Sequence, residues 1–470
     1  MALTFFNTMT RKKEIFTPIN GKKVNLYVCG LTVYDYPHVG HSRVYIMWDI
    51  LRRYLDYSGY DLKHVQNITD IHDSIIKRAK EENVSLEDLT QKFTDIAFED
   101  MDRLRIKRAH VYPKVTDHIK EIIDMIATLI DKGYAYVTDD GSVYYDISKF
   151  ADYGKLSRID LTQTKAGVRV DVDDYKENPQ DFALWKSADD EPTWDSPWGK
   201  GRPGWHIECS VMARKHLGDT LDLHTGGMDH YFPHHENEIA QSEAATGKKF
   251  VNYWMHTAFI NIGGEKMSKS LKNFIRIRDI LETYRPEVLR LFMISSHYRT
   301  PVDYNPKNID NAKAALDRLE TFLDNLDFYK KDAQDKGQED RKVKELINDS
   351  KEGFITAMDD DLNTPEAFES LFRFVKDINR LMKKPDAIGK KEIDNIKAHL
   401  YDMDQVFDVL PTKEKGEDTL SKEVNALIEK REQARKEKDW AEADKIRDKL
   451  DKLGIVIEDT GKGIRWKKKR

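Results

Sequence analysis

The chain has 470 residues, 39% of them hydrophobic and 34% charged, with a formal net charge of −6 at pH 7. That balance is too apolar for a disordered protein and too charged for a membrane protein, and the length suits about three domains, each with its own core. No secretory h-region or cleavage site is legible at the start, so a cytoplasmic location without a membrane partner is expected, with Cys29 and Cys209 as reduced thiols.

VNLYVCG (24–30) has the β-branched and aromatic run of a buried strand ending at Gly30. Between it and the next helix lies YPHVGHSRVY (36–45), where His38 and His41 flank Gly40. A glycine at a helix start lets backbone approach a phosphate, and the dipole end favours anions; an ordinary capping turn uses the same residues. Val44, Met47, Leu51 and Tyr54 then recur at helical spacing over 42–57, and 60–68 reads as a second strand. This is a βαβ unit, whose ligand site is expected beyond the strand C-termini.

Helices are expected over 71–131, and 135–147 reads as a hairpin with Asp-Gly at its turn, inside a region of short elements to about 204 that looks inserted. SPWGKGRPGW (196–205) is a boundary, after which 221–227 and 254–264 each read as a strand running into glycines. FPHHENEIAQ (232–241) places His234 and Glu238 at i and i+4 on one helix face, with His235 and Glu236 pointing elsewhere and Pro233 suited to the first turn. A polar helix start with dipole-matched acids fits that stretch as well.

GGEKMSKSLKNF (263–274) carries Lys266 and Lys269 behind two glycines, ammonium groups suited to the charge of a pentacoordinate phosphate. From about 276 to 410 the chain reads as charged amphipathic helices. A polar link (411–422) leads to a final helical pair and a short apolar strand at 454–459. Residues 421–470 hold 16 Lys/Arg against 11 Asp/Glu, an excess that suits a polyanionic partner or a solvated helix face.

The His-x-Gly-His and Lys-Met-Ser-Lys-Ser frames together match the two signatures of class I aminoacyl-tRNA synthetases. YVCGLTVYDYPHVGH, NITDI, GRPGWHIECS, FPHHENEIAQSE, NYWMH, KMSKSL, AMDDDLNTPEA and ARKEKDWAEADKIRD, in that order over nearly the whole chain, resemble the cysteinyl-tRNA synthetases. The resemblance implies an α/β fold: a Rossmann-type parallel-sheet catalytic domain in two halves, 1–115 and 205–275, split by a connective insertion at 116–204. A stem-contact segment (276–330), a helical bundle (331–410) and a small C-terminal anticodon-binding domain (411–470) follow.

It further implies a monomer that joins L-cysteine to tRNA(Cys) through cysteinyl-adenylate, using ATP with Mg²⁺. One zinc per chain is implied on Cys29, Cys209, His234 and Glu238. Thr32, His38, Gly40, His41, Gly227, Asp229 and Lys269 would meet ATP, with His38, His41, Lys266 and Lys269 catalytic, while Cys29, Thr69 and Trp205 would line the cysteine pocket. Leu31, His72, Ser74, Thr225, Met228 and Lys272 depart from the family pattern, which bears most on the nucleotide contacts. The chemical logic of a metal is selectivity: shape alone separates groups of methyl size by about 1–3 kcal/mol, whereas zinc prefers a soft thiolate to a hydroxyl.

Overall fold

The computed structural model describes residues 2–159, 175–267, 274–334, 341–384, 387–411, 419–460 and 463–468. After a short antiparallel hairpin of Thr4–Asn7 with Lys12–Ile15, β1 (Lys23–Thr32), α1 (Val39–Tyr57) and β2 (Asp61–Thr69) form the expected βαβ unit. The insertion follows, and then α2 (Ile207–Leu217), β3 (Leu221–Gly227), α3 (Glu236–Thr246) and β4 (Val251–Thr257) complete a parallel sheet of order β4-β3-β1-β2. The chain leaves β1 toward β2 on one side and later places β3 on the other. The C-terminal ends of β1 and β3 therefore flank the crevice where open α/β sheets bind ligands.

Side-chain alternation along β1 divides the core. Val24, Leu26 and Val28 pack on the face covered by α1, while Tyr27 and Cys29 pack on the face shared with α2 and α3. Cys29 thus faces the layer that carries Cys209 and Glu238.

The expected helices of 71–131 form as Asp73–Glu82, Leu86–Arg103 and Ile119–Asp131, with an extended interruption between the last two. The interruption covers the outer edge of β2: Gln66 and Ile68 donate their N–H groups to the carbonyls of Val111 and Pro113. An edge strand buried without partners would leave those donors unpaired. Ala135–Val137 and Val143–Tyr145 form the expected hairpin, extended by Phe182–Ser187 and Gly201–Pro203 into a four-stranded antiparallel sheet.

The expected strand at 254–264 breaks after β4, because Ala258 turns to donate its N–H to Tyr298 and Ile260–Ile262 joins a second small sheet with Glu265–Lys266 and Val302–Tyr304. The helical half holds Pro306–Asp332, Arg341–Asp359, Thr364–Met382 and Lys390–Phe407, whose apolar faces are continuous with the core under α1. At the C-terminus, Thr419–Lys436 and Trp440–Lys452 precede a hairpin, Ile455–Thr460 with Gly463–Lys468, rather than a lone strand, since a lone strand leaves its backbone groups unpaired. No helix among the described residues is long and apolar enough to cross a membrane.

Candidate functional site

All four parallel strands contribute to one cavity of about 980 Å³: Cys29 to Thr32 from β1, Thr69 from β2, Gly227 from β3 and Thr257 from β4 line it. Its floor is metal-ligand chemistry. Cys29, Cys209, His234 and Glu238, all buried, can each bring one ligand atom within 4.8 Å of the others, and so can Cys29, His224, His235 and Glu238. Cys29, Cys209 and His234 line the cavity, whereas among the described residues His224 and His235 lie behind that surface. The first quartet thus brings three of its four residues to the cavity surface and the second brings Cys29 alone.

Local structure delivers these groups. The pairing of β1 with β2 slips between Val28 and Leu31, and Gly30 donates its N–H to the Asn67 side chain at 2.8 Å. A Cβ on Gly30 would fall 1.6 Å from the Asn67 carbonyl oxygen, so only glycine permits this close approach, beside which Cys29 turns to the floor. Cys209 comes from the first turn of α2, and the loop before it supplies Trp205 and His206. His234 lies in the turn Tyr231–His235, which kinks at the extended Phe232 before it feeds α3.

Its Nε2 meets Glu238 Oε1 at 3.0 Å, so the i, i+4 pair meets as spacing predicts, although α3 itself starts only at Glu236 and Pro233 precedes it. Glu236 does point elsewhere, accepting the N–H groups of Gly154 and Ser157 in the insertion. His235 does not. Its Nε2 stands 3.2 Å from Cys29 Sγ and 3.9 Å from Glu238 Oε1, the latter at i, i+3, a spacing that also shares one helix face.

Charge is concentrated here. Burial pushes the Glu238 carboxyl up, but His224 at 2.8 Å and His234 outweigh it and hold it near 2. Cys209 is lowered to about 6, first by its hydrogen bond with Cys29, whereas burial and Cys209 raise Cys29. Burial lowers His234, yet Glu238 and Cys209 overcome it and raise it to about 10. Two sulfurs, one imidazole and one carboxylate form a donor set that zinc accepts.

Around it, His206 Nδ1 lies 2.9 Å from His234 Nδ1, and His235 Nδ1 lies 2.7 Å from His256 Nε2; burial depresses His206, His235 and His256 well below the usual imidazole range and keeps them neutral. Of these imidazoles the sequence reading names only His235, whereas His224 and His256 are lone polar residues inside strand patterns. A histidine at a position that alternation assigns to the core was the available signal.

Trp205 lines the cavity with its ring 4.7 Å from that of His234, and it keeps 38% exposure. Thr69 also lines the cavity and donates its hydroxyl to Glu208 at 2.9 Å.

At the other end, α1 begins with His38 as its cap. His38 Nδ1 accepts the Gly40 N–H and His41 Nδ1 accepts the His38 N–H, each at 3.1 Å, with the rings stacked 3.6 Å apart. An Nδ1 that accepts leaves the ring proton on Nε2, a donor suited to phosphate oxygens. A Cβ on Gly40 would come within 2.9 Å of the His38 ring and 3.2 Å of Met267 Cε, so the two signature stretches meet at this glycine. Backbone bonds join them again: Val39 N–H to Ile275 O at 2.9 Å, and Ile277 N–H to Pro37 O at 3.1 Å. Thr32, Gly227 and Asp229 line the same end. Thr225 is buried and stands outside the cavity lining. Lys266 is placed in the strand Glu265–Lys266, while Lys269 and Lys272 fall outside the described residues.

The chain matches the family model described as the catalytic domain of class I (C) tRNA synthetases over residues 15–314, a DALR domain over 353–410 and the cysteinyl-tRNA ligase anticodon binding domain over 417–466. It is 47% identical over 468 residues to a cysteine–tRNA ligase of Geobacillus sp. (strain WCH70), covering 99% of each chain. It is 48% identical over 474 residues to a cysteine–tRNA ligase of Thermococcus gammatolerans, covering 100% of this chain and 99% of that one. In fold it resembles Mycobacterium tuberculosis methionyl-tRNA synthetase in complex with methionyl-adenylate, at 14% identity and a TM-score of 0.60, over 83% of this chain and 90% of that one. A LeuRS–tRNA–LeuAMS ternary complex of Agrobacterium radiobacter K84 gives a TM-score of 0.62 at 10% identity, over 84% and 85% of the two chains.

Proposed function

The chain belongs to the cysteine–tRNA ligases, within the class I aminoacyl-tRNA synthetases, and from that premise we propose how its residues divide the work. Cysteine carboxylate attacks the α-phosphorus of ATP, forming the mixed anhydride cysteinyl-adenylate and expelling pyrophosphate. The terminal adenosine of tRNA(Cys) then attacks the carbonyl carbon, forming the ester and expelling AMP.

His38 and His41, at the N-terminus of α1 and protonated on Nε2, bind phosphate oxygens where the helix dipole also favours anions. Gly40 keeps this approach open, and Thr32, Gly227 and Asp229 hold the nucleoside side. Lys266 and Lys269 meet the charge that develops on the departing pyrophosphate, with Mg²⁺ accompanying the triphosphate.

Cys29, Cys209, His234 and Glu238 would hold zinc, which when bound supplies a soft Lewis acid that selects a thiolate over a hydroxyl. Trp205 and Thr69 wall the pocket above that floor. The observation that carries this reading is the buried two-sulfur, imidazole and carboxylate cluster opening into the same cavity as the His38–His41 cap. In this reading adenylation falls to the two halves 1–115 and 205–275 and RNA reading to 411–470.

Amino-acid-dependent pyrophosphate exchange tests the reading. Cysteine should support exchange and serine should fall short by about 10⁴-fold, a discrimination that a buried polar contact can supply without editing. Comparable exchange with serine would overturn the role given to the cluster.

A further inference from the structure

AMDDDLNTPEA (357–367) takes no part in that chemistry, yet its three aspartates reach three elements of the catalytic half. Asp359 accepts the Tyr54 hydroxyl of α1 at 2.7 Å, and Asp360 pairs with Lys13 of the N-terminal hairpin at 2.6 Å. Asp361 is fully buried. Its Oδ1 accepts the Phe6 N–H at 2.7 Å and the Tyr298 hydroxyl at 2.6 Å, while its Oδ2 accepts two N–H groups of Arg299, each at 2.8 Å. Asp361 and Leu362 have φ of +62° and +53°, a left-handed conformation that leucine rarely adopts, so the surrounding contacts hold an unfavourable backbone in place.

What these contacts fix is the segment 295–300. From the opposite side Arg43 of α1, two residues after His41 and itself buried, gives its guanidinium to the carbonyls of Met293, Ser296 at 3.3 Å, His297 at 2.8 Å and Thr300 at 3.3 Å. Held on both sides, the segment passes its position to the cavity wall. Tyr298 O accepts the Ala258 N–H at 2.8 Å, Ile260–Ile262 pairs with Val302–Tyr304, and Asp303 accepts the Gly264 N–H at 2.7 Å. Ala258, Phe259, Ile260 and Met267 line the cavity, and the strand Ile260–Ile262 leads within four residues to Lys266.

We propose that Asp361 is a positioning residue for adenylation: by anchoring Tyr298 and Arg299 it sets the cavity wall Ala258–Ile262 and hence the backbone of the paired strand Glu265–Lys266. The proposal rests on the reading of Lys266 and Lys269 as transition-state groups. The helical bundle, through one buried carboxylate, thereby sets the geometry of a catalytic element more than 90 residues earlier in the chain.

Asp361→Asn keeps an acceptor for Phe6 and Tyr298 and removes the charge facing Arg299. In the full-length protein, kcat of cysteine-dependent pyrophosphate exchange should fall between about 10- and 10²-fold, the scale of a displaced catalytic group. KM for cysteine and zinc content should stay within about twofold, since ground-state binding at the floor is untouched. Arg299→Gln, at a side chain that is 35% exposed, is the second variant and should lower kcat in the same way, with the double variant no worse than the worse single one.

An unchanged kcat in Arg299→Gln or in folded Asp361→Asn overturns the proposal, as does a rise in the cysteine KM with loss of zinc. Lys269→Ala separates the two readings. If it leaves exchange unchanged, the lysine assignment fails; if it lowers exchange while Asp361→Asn does not, only the positioning role fails.

Discussion

The two ends of the cavity are built by opposite strategies. The end proposed for phosphate is local: His38, Gly40 and His41 sit within four residues, the two histidines cap one helix with their ring nitrogens, and the geometry follows from that cap. The end proposed for metal is convergent: Cys29, Cys209, His234 and Glu238 come from a strand, a helix start, a kinked turn and a second helix, and meet only because the sheet stacks these layers. A local device tolerates changes elsewhere and fails by its own residues. A convergent one depends on every supporting contact, because buried charges without partners are costly.

The largest expected effect breaks the convergent end. Cys209→Ser replaces a group lowered to about 6 by a neutral hydroxyl, so zinc measured by elemental analysis and cysteine-dependent exchange should fall together, the latter by more than about 10²-fold. Zinc-free protein of full activity would remove the metal from the account. Next, Lys269→Ala attacks the phosphate end and should lower the adenylation rate by about 10²-fold with little change in cysteine affinity, the signature of a contact made in the transition state. An unaltered rate with weaker ATP binding would place that lysine in the ground state instead.

Smaller effects sharpen the contrast. His235→Ala and His206→Ala each remove an imidazole that touches a ligand of the quartet without belonging to it, and each should weaken zinc retention by about 10- to 10²-fold in a chelator competition. Equal zinc retention in the His235 variant would mean that its 3.2 Å approach to Cys29 orients nothing. The smallest effect on either end is expected from ending the chain after Pro411. Exchange should stay within a few-fold of the intact chain, while aminoacylation of tRNA falls by orders of magnitude and tRNA binding loses part of its salt dependence. Normal charging by the truncated chain would show that the basic C-terminal segment is not the RNA reader.

The sequence by itself determined the elements and the glycine-and-histidine turn that starts α1. Strand and helix periodicities over 24–68 place β1, α1 and β2 to within a few residues, and a glycine between two histidines at a helix start is a local signal that needs no partner from elsewhere. The i, i+4 relation of His234 and Glu238 was legible for the same reason, since helical spacing is short-range.

Tertiary structure decided what spacing could not. His235 reaches Cys29 because the start of α3 packs against the end of β1, a contact that spacing within one element cannot report. The strand pattern at 254–264 divides because Ala258 finds Tyr298, 40 residues later in sequence. His224 and His256 acquire meaning only beside Glu238 and His235. Local spacing reports which face a residue occupies on its own element, but which groups share a buried site depends on how layers stack, and the desolvation of their charges then fixes that arrangement.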